Sequence, residues 1–190
     1  RDDAVLLMVS GVTASVRASG LELEGGTNGR GIVVNDGELR LEDSSVSVRT
    51  ALMSVVGIES ARSRSTVTES TVEVRDAPAA TGMILRRSVS LLTGLRMQVF
   101  GDRSVQGLLA SGGAVDLRAA RLQTEAAAGF AAGATGDQAD LSLTNTTIRV
   151  SAPGDGAGVS VLDAPLTVLQ SAISVRSGSD APVAVHHGGQ

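Results

Sequence analysis

The segment Leu39-Arg-Leu-Glu-Asp-Ser-Ser-Val-Ser-Val48 decides the fold. Apolar residues at 39 and 41, and again at 46 and 48, alternate with polar ones. That period of two belongs to strands that bury one side and wet the other. Four residues, Glu42–Ser45, separate the two apolar pairs, which is room for a corner and too little for a helix.

The unit recurs along the whole chain. Positions equivalent to Leu41 are Val16, Val67, Leu92, Leu117, Leu143 and Val168, spaced 25 or 26 residues apart and all aliphatic. Five residues after each comes Leu21, Val46, Val72, Met97, Leu122, Ile148 or Ile173. Two further on lies Leu23, Val48, Val74, Val99, Thr124, Val150 or Val175. A third column reads Leu6, Ile32, Ile58, Met83, Leu108, Val159 and Val183, and Phe130 is expected to fill it between Leu108 and Val159. Several members follow a glycine, as in Gly31-Ile32, Gly57-Ile58 and Gly107-Leu108.

Three short strands per turn, repeated at this interval without a crossover helix, predict an all-β, right-handed, single-stranded parallel β-helix. About seven coils of about 25 residues would stack at roughly 4.8 Å per rung and span on the order of 35 Å. The corner between the first and second strands is constant in length. The stretch between the second and third varies from about five to nine residues and is rich in turn formers, including Gly25-Gly26, Pro78, Gly101 and Pro153-Gly-Asp-Gly156. Variable loops on one side of a solenoid are the expected binding surface. Coil five leaves the inward register open between Phe130/Ala132 and Ala132/Ala134, and Ala126–Ala132 is its helix-prone stretch. Residues 1–190 read as one domain, expected to belong to a longer rod because solenoid ends need covering.

Composition narrows the function. Aromatic residues make up 1% of the chain, all sixteen basic residues are Arg, and the net charge is −4. With no basic block and no aromatic–basic interleaving, nucleic acid is not an expected partner. The absence of cysteine excludes a disulfide scaffold and a thiolate metal site.

The repeat resembles the passenger region of pertactin-like autotransporters of Gram-negative bacteria. Ala139-Asp-Leu-Ser-Leu-Thr-Asn-Thr-Thr-Ile-Arg-Val150, Gly156-Ala-Gly-Val-Ser-Val161 and Leu166-Thr-Val-Leu-Gln-Ser-Ala-Ile-Ser-Val175 carry the resemblance, which runs from about Val5 to Val185. It implies display at the cell surface or outer membrane, with a C-terminal outer-membrane β-barrel of the same polypeptide outside this stretch. It also implies adhesion to a host-cell or bacterial surface protein or glycan. No Arg-Gly-Asp tripeptide occurs.

The chemistry of the chain points to binding rather than catalysis. A β-helix enzyme acting on polysaccharide, as lyase or hydrolase, is the alternative, with a trimeric phage tailspike-like rod behind it. Glycan cleavage needs carboxylates clustered in adjacent coils. Asp43 and Glu69 stack at one corner position, but the equivalents Ala18, Gly94, Ala119, Asn145 and Gln170 build no basin. They read as solvated turn carboxylates, and no catalytic residue is expected. Arg17 over Glu42 and Glu24 over Arg49 read as opposite-charge rungs. Adjacent His186 and His187 would point to opposite strand faces, and Asp155 stands alone among glycines, so neither a metal nor a cofactor is expected. The binding residues expected on the variable corner are Asp76, Phe100, Asp102 and Asp155.

Overall fold

The computed structural model describes residues 3–49, 52–179 and 182–188, and these form a parallel β-solenoid of about seven turns without a helix. Every strand pairing is parallel and joins a strand to its equivalent one coil later. Three faces result. The first carries Thr13–Arg17, Glu38–Glu42 and Arg64–Thr68; the second Gly20–Glu24 and Ser45–Arg49; the third Asp3–Ser10, Asn28–Asn35 and Ser54–Ala61. In the middle coils the strands bend round the corners without a break, and Thr71–Thr93 and Arg96–Arg118 each supply all three faces.

The aliphatic columns fall in register as the spacing predicts. Leu41 pairs with Val16 and Val67, Leu92 with Val67 and Leu117, and Leu143 with Leu117 and Val168. Leu41 is 1% exposed, and Val67 and Leu92 are 0% exposed. The Leu21–Ile173 and Leu23–Val175 columns are equally continuous.

The third column needs three corrections. Its first member is Leu7, which pairs with Ile32; its last is Val185, which pairs with Val159; and its coil-five member is Ala134, between Leu108 and Val159. Phe130 lies opposite Ser104, half-buried, on the way into the strand. In coil five Ala131 and Ala134 join the core, whereas Ala132 aligns with Gln106 and Ala157, so neither proposed pair is complete. The run 126–132 forms strand on both sides of a short bend and no helix.

A glycine column explains these shifts. Gly31, Gly57, Gly82, Gly107, Gly133 and Gly158 occupy one rung position, immediately before the aliphatic member. A Cβ on Gly31, Gly57, Gly82 or Gly133 would come within 2.5–2.6 Å of the carbonyl oxygen of the next glycine up. It would also strike the second face, at Val46 for Gly31, Val72 for Gly57 and Met97 for Gly82. Here the third face presses onto the second with no room for a methyl group. In the last coil Ala184 takes the glycine's place, so counting from the apolar residue alone misses the register.

Two corners are constant. Between the first and second faces only two residues leave the strands, as in Asp43-Ser44, rather than four. The first of them is left-handed in every coil: Ala18, Asp43, Glu69, Gly94, Ala119, Asn145 and Gln170 all have φ between 44° and 63°. Such a backbone disfavours residues with a Cβ. Its N–H nevertheless continues the ladder, as Asp43 N donates to the Thr68 carbonyl (3.1 Å) and Glu69 N to that of Thr93 (2.9 Å). Hydroxyls close the turn. Ser44 Oγ donates to the Glu42 carbonyl (2.7 Å) and accepts from Ser19 N (3.3 Å), and Ser70 repeats the arrangement one rung on. The corner between the third and first faces uses the same device through Asp36, Arg62, Arg87 and Gln138.

Within the tube the aliphatic lining is interrupted by Ser60, by Ser65 and Ser90, and by Thr124. Ser65 and Ser90 stand in the column of Leu39 and Val115. Ser65 Oγ donates to Ser60 Oγ (3.2 Å), and Ser88 Oγ donates to the carbonyls of Arg86 (3.0 Å) and Ser60 (3.1 Å). Ser90 Oγ and Thr124 Oγ1 are buried with no hydrogen-bond partner.

Candidate functional site

Irregularity concentrates at the corner between the second and third faces. Where Arg96–Arg118 pairs with Thr71–Thr93, the register slips between Val99 and Gly101 and again between Gly101 and Ser104, and the two slips compensate. The loops there are short: Ala127–Gly129 and Pro153–Asp155 leave three residues outside the strands. The segment 77–82, which holds Pro78 of the stretch expected to vary, is strand. Ala77 and Ala80 are buried, and Gly82 belongs to the glycine column.

At the slip the structure brings three of the four expected binding residues together. Asp76, Phe100 and Asp102 line a shallow depression with Pro78 and Ala127. Asp76 and Asp102 are exposed and the Phe100 ring is half-buried. Asp76 is itself left-handed (φ 63°), which turns the chain out of the second face at this point. The Arg75 guanidinium lies 4.5 Å from the Phe100 ring centre, a cation–π contact that holds the ring against the wall. Arg75 is tied in turn to Glu73. Asp155 is not part of the depression. It sits exposed two coils further up, where its carbonyl accepts from Ala131 N (3.1 Å).

The opposite-charge rungs form as expected. Arg17 Nε stands 2.8 Å from Glu42, and Arg49 Nη1 is 4.0 Å from Glu24. Arg62 grips Asp36 with two parallel bonds of 2.7 Å. That hydrogen-bonded guanidinium holds the Asp36 carboxyl below the usual carboxylate range. Glu38 is lowered likewise, first by the hydrogen bond from Arg40 (3.0 Å). Asp43 and Glu69 stay exposed on the left-handed corner, and the Glu69 carboxylate folds over Gly94 rather than toward a cleft. His186 Nδ1 lies 3.5 Å from Ser160 Oγ, and His187 Nε2 lies 3.0 Å from the Ala164 carbonyl; neither joins a metal-holding group. Among the described residues no three His, Asp or Glu side chains converge on a metal position.

No family model, curated protein or solved structure matches this chain.

A second surface escapes a reading along the chain. On the outer side of the second face Arg96 pairs in register with Arg121, Gln98 with Gln123, and Gln123 with Arg149. These residues line a shallow groove with Thr147. It continues past Arg149 toward Ser174 and Arg176. The signal lies in the 25-residue step from Arg96 to Arg121, a like-charge outward rung beside the opposite-charge rungs that the repeat shows lower down.

Proposed function

We propose that this chain is a surface-displayed β-solenoid, comparable to an autotransporter passenger, that serves as an adhesive or structural rod. Contact is made through the corner between the second and third faces. The observation that carries this reading is the contrast among the three corners. Two repeat the same left-handed residue and the same ladder bonds in successive coils, while the third slips in register and gathers Asp76, Phe100 and Asp102 into a depression. A scaffold that tolerates variation at one corner can change its contacts without disturbing its core. The resemblance noted in the sequence supports the passenger reading, including transport through a C-terminal barrel of the same polypeptide and location at the cell surface.

The test is adherence. Beads coated with the purified chain should attach to cultured epithelial cells or to bacterial cells. The variant Asp76→Ala/Phe100→Ala/Asp102→Ala should reduce attachment to the level of uncoated beads while its far-UV circular dichroism stays unchanged. Equal attachment by the two forms would remove the corner from the account. Truncating residues 77–82 is not a usable test, because it would delete core strand.

A further inference from the structure

We propose that the outer side of the second face in coils four to six is a binding strip for a carboxylated polysaccharide. Arg96, Arg121 and Arg149 would hold the carboxylates, and the amides of Gln98 and Gln123 the sugar hydroxyls. This inference does not depend on the corner described above.

The argument begins with pairing. Arg17, Arg30, Arg40, Arg49, Arg62, Arg75, Arg86, Arg103 and Arg118 each have a carboxylate oxygen within 4.0 Å. Arg64, Arg87, Arg96, Arg121, Arg149 and Arg176 have no ion pair among the described residues, but only Arg96, Arg121 and Arg149 gather in one groove, with Arg176 at its continuation; the three are exposed and alternate with the buried Met97, Leu122 and Ile148. Arg96 and Arg121 also sit directly over one another in adjacent strands. Like charges so placed oppose the fold. An anion bound between them relieves that repulsion, and among the described residues no carboxylate does so.

The geometry selects the occupant. Neighbouring strands are about 4.8 Å apart, so Arg96, Arg121 and Arg149 present three forks over two rungs, the last displaced two residues along the strand, about 6.6 Å. An extended polyuronate carries a carboxylate at each sugar and can meet the three forks in sequence. Guanidinium groups match carboxylates with two parallel hydrogen bonds. Gln98 and Gln123 lie beside the forks, and each amide offers both a donor and an acceptor to hydroxyl groups. The groove is lined mainly by polar groups, with no apolar pocket of the sort that anchors a protein partner. It holds no aromatic ring on which nucleic-acid bases would stack. Glu73 below Gln98 and Glu125 beside the groove bound the strip and keep it narrow.

The probe is biotinylated polygalacturonate on a biosensor surface, with heparin, neutral dextran and a thymidine oligonucleotide as separate arms. The chain should bind polygalacturonate more tightly than the other three, and added salt should weaken the complex. The variant Arg96→Gln/Arg121→Gln/Arg149→Gln should bind at least about tenfold more weakly, as expected when three charge-assisted contacts are removed. The variant Arg17→Gln/Arg62→Gln/Arg118→Gln, which removes three paired arginines elsewhere, should stay within about twofold, since surface ion pairs carry little. Unchanged circular dichroism and a single cooperative thermal transition show that both variants are folded. The corner variant with Asp76, Phe100 and Asp102 replaced should bind like the unmodified chain, so failure of the adhesive corner and failure of the strip are read separately. The proposal is overturned by no binding at low salt, by equal loss in the two arginine variants, or by tighter binding of any other arm.

Discussion

The two sides of the second face follow opposite rules. Its inner side is closed to change: Val46, Val72, Met97, Leu122 and Ile148 are at most 2% exposed, and the glycine column of the third face presses against it. Its outer side alternates residue for residue with that wall yet keeps no one chemistry through all coils. In the lower coils Arg49 and Arg75 are tied to Glu24 and Glu73. Higher up Arg96, Arg121 and Arg149 have no ion pair among the described residues. Stacking dictates one residue in two and leaves the other free. Unpaired charge on the free side therefore calls for an explanation other than folding.

That contrast can be broken most forcefully at the glycine column. Gly133→Ala would drive a Cβ to 2.5 Å from the Gly158 carbonyl oxygen and into Ile148. Overpacking against backbone should cost about 3 kcal/mol, read as a lower denaturant midpoint. An unchanged midpoint would mean that the inner wall yields more readily than its packing implies.

A smaller change of opposite sign should come from Thr124→Val. Thr124 lies in the column between Val99 and Val150, and its hydroxyl is buried without a partner. Valine keeps the shape and removes the orphaned group, so stability should rise by about 1 kcal/mol. A loss instead would indicate that the hydroxyl is satisfied in solution.

The smallest effect belongs to the exposed charges. The Asp36 carboxyl titrates lower in the folded chain than in the unfolded one, so its pair with Arg62 stabilises the fold above the ordinary carboxylate range. The contribution is lost as pH falls through the folded value. Arg62→Gln should therefore lower the denaturant midpoint slightly at pH 7 and leave it unchanged in acid. An equal drop at both pH values would assign the effect to packing of the Arg62 stem.

Much of this architecture is legible in one dimension because a solenoid turns sequence period directly into spatial neighbourhood. The Val16–Val168 column needed no tertiary information. The third column was harder to place because the glycine is the crowded position and the apolar residue merely follows it. Where Leu6 or Ala184 replaces glycine, hydropathy alone points to the wrong rung. Phe130 differs for a related reason: its size makes it the natural core candidate in an alanine-rich coil, yet Ala134 fits between Leu108 and Val159. At the candidate corner, Asp76, Phe100 and Asp102 could be anticipated because turn formers marked the place. Asp155 carried the same mark in a different coil, and only the stacking order separates it from the others.

By itself, then, the sequence determined the parallel solenoid, its rung length and its dry aliphatic columns, since burial at every second residue leaves no other arrangement for this period. Tertiary structure decided which outward charges find a partner and which, like Arg96 and Arg121, have no ion pair among the described residues. Outward positions are free of the packing constraint, so the period gives their neighbours one coil away while side-chain reach between and along rungs decides which of them pair. Arg96 and Arg121 are 25 residues apart along the chain and adjacent in space, and that adjacency gives the strip its charge.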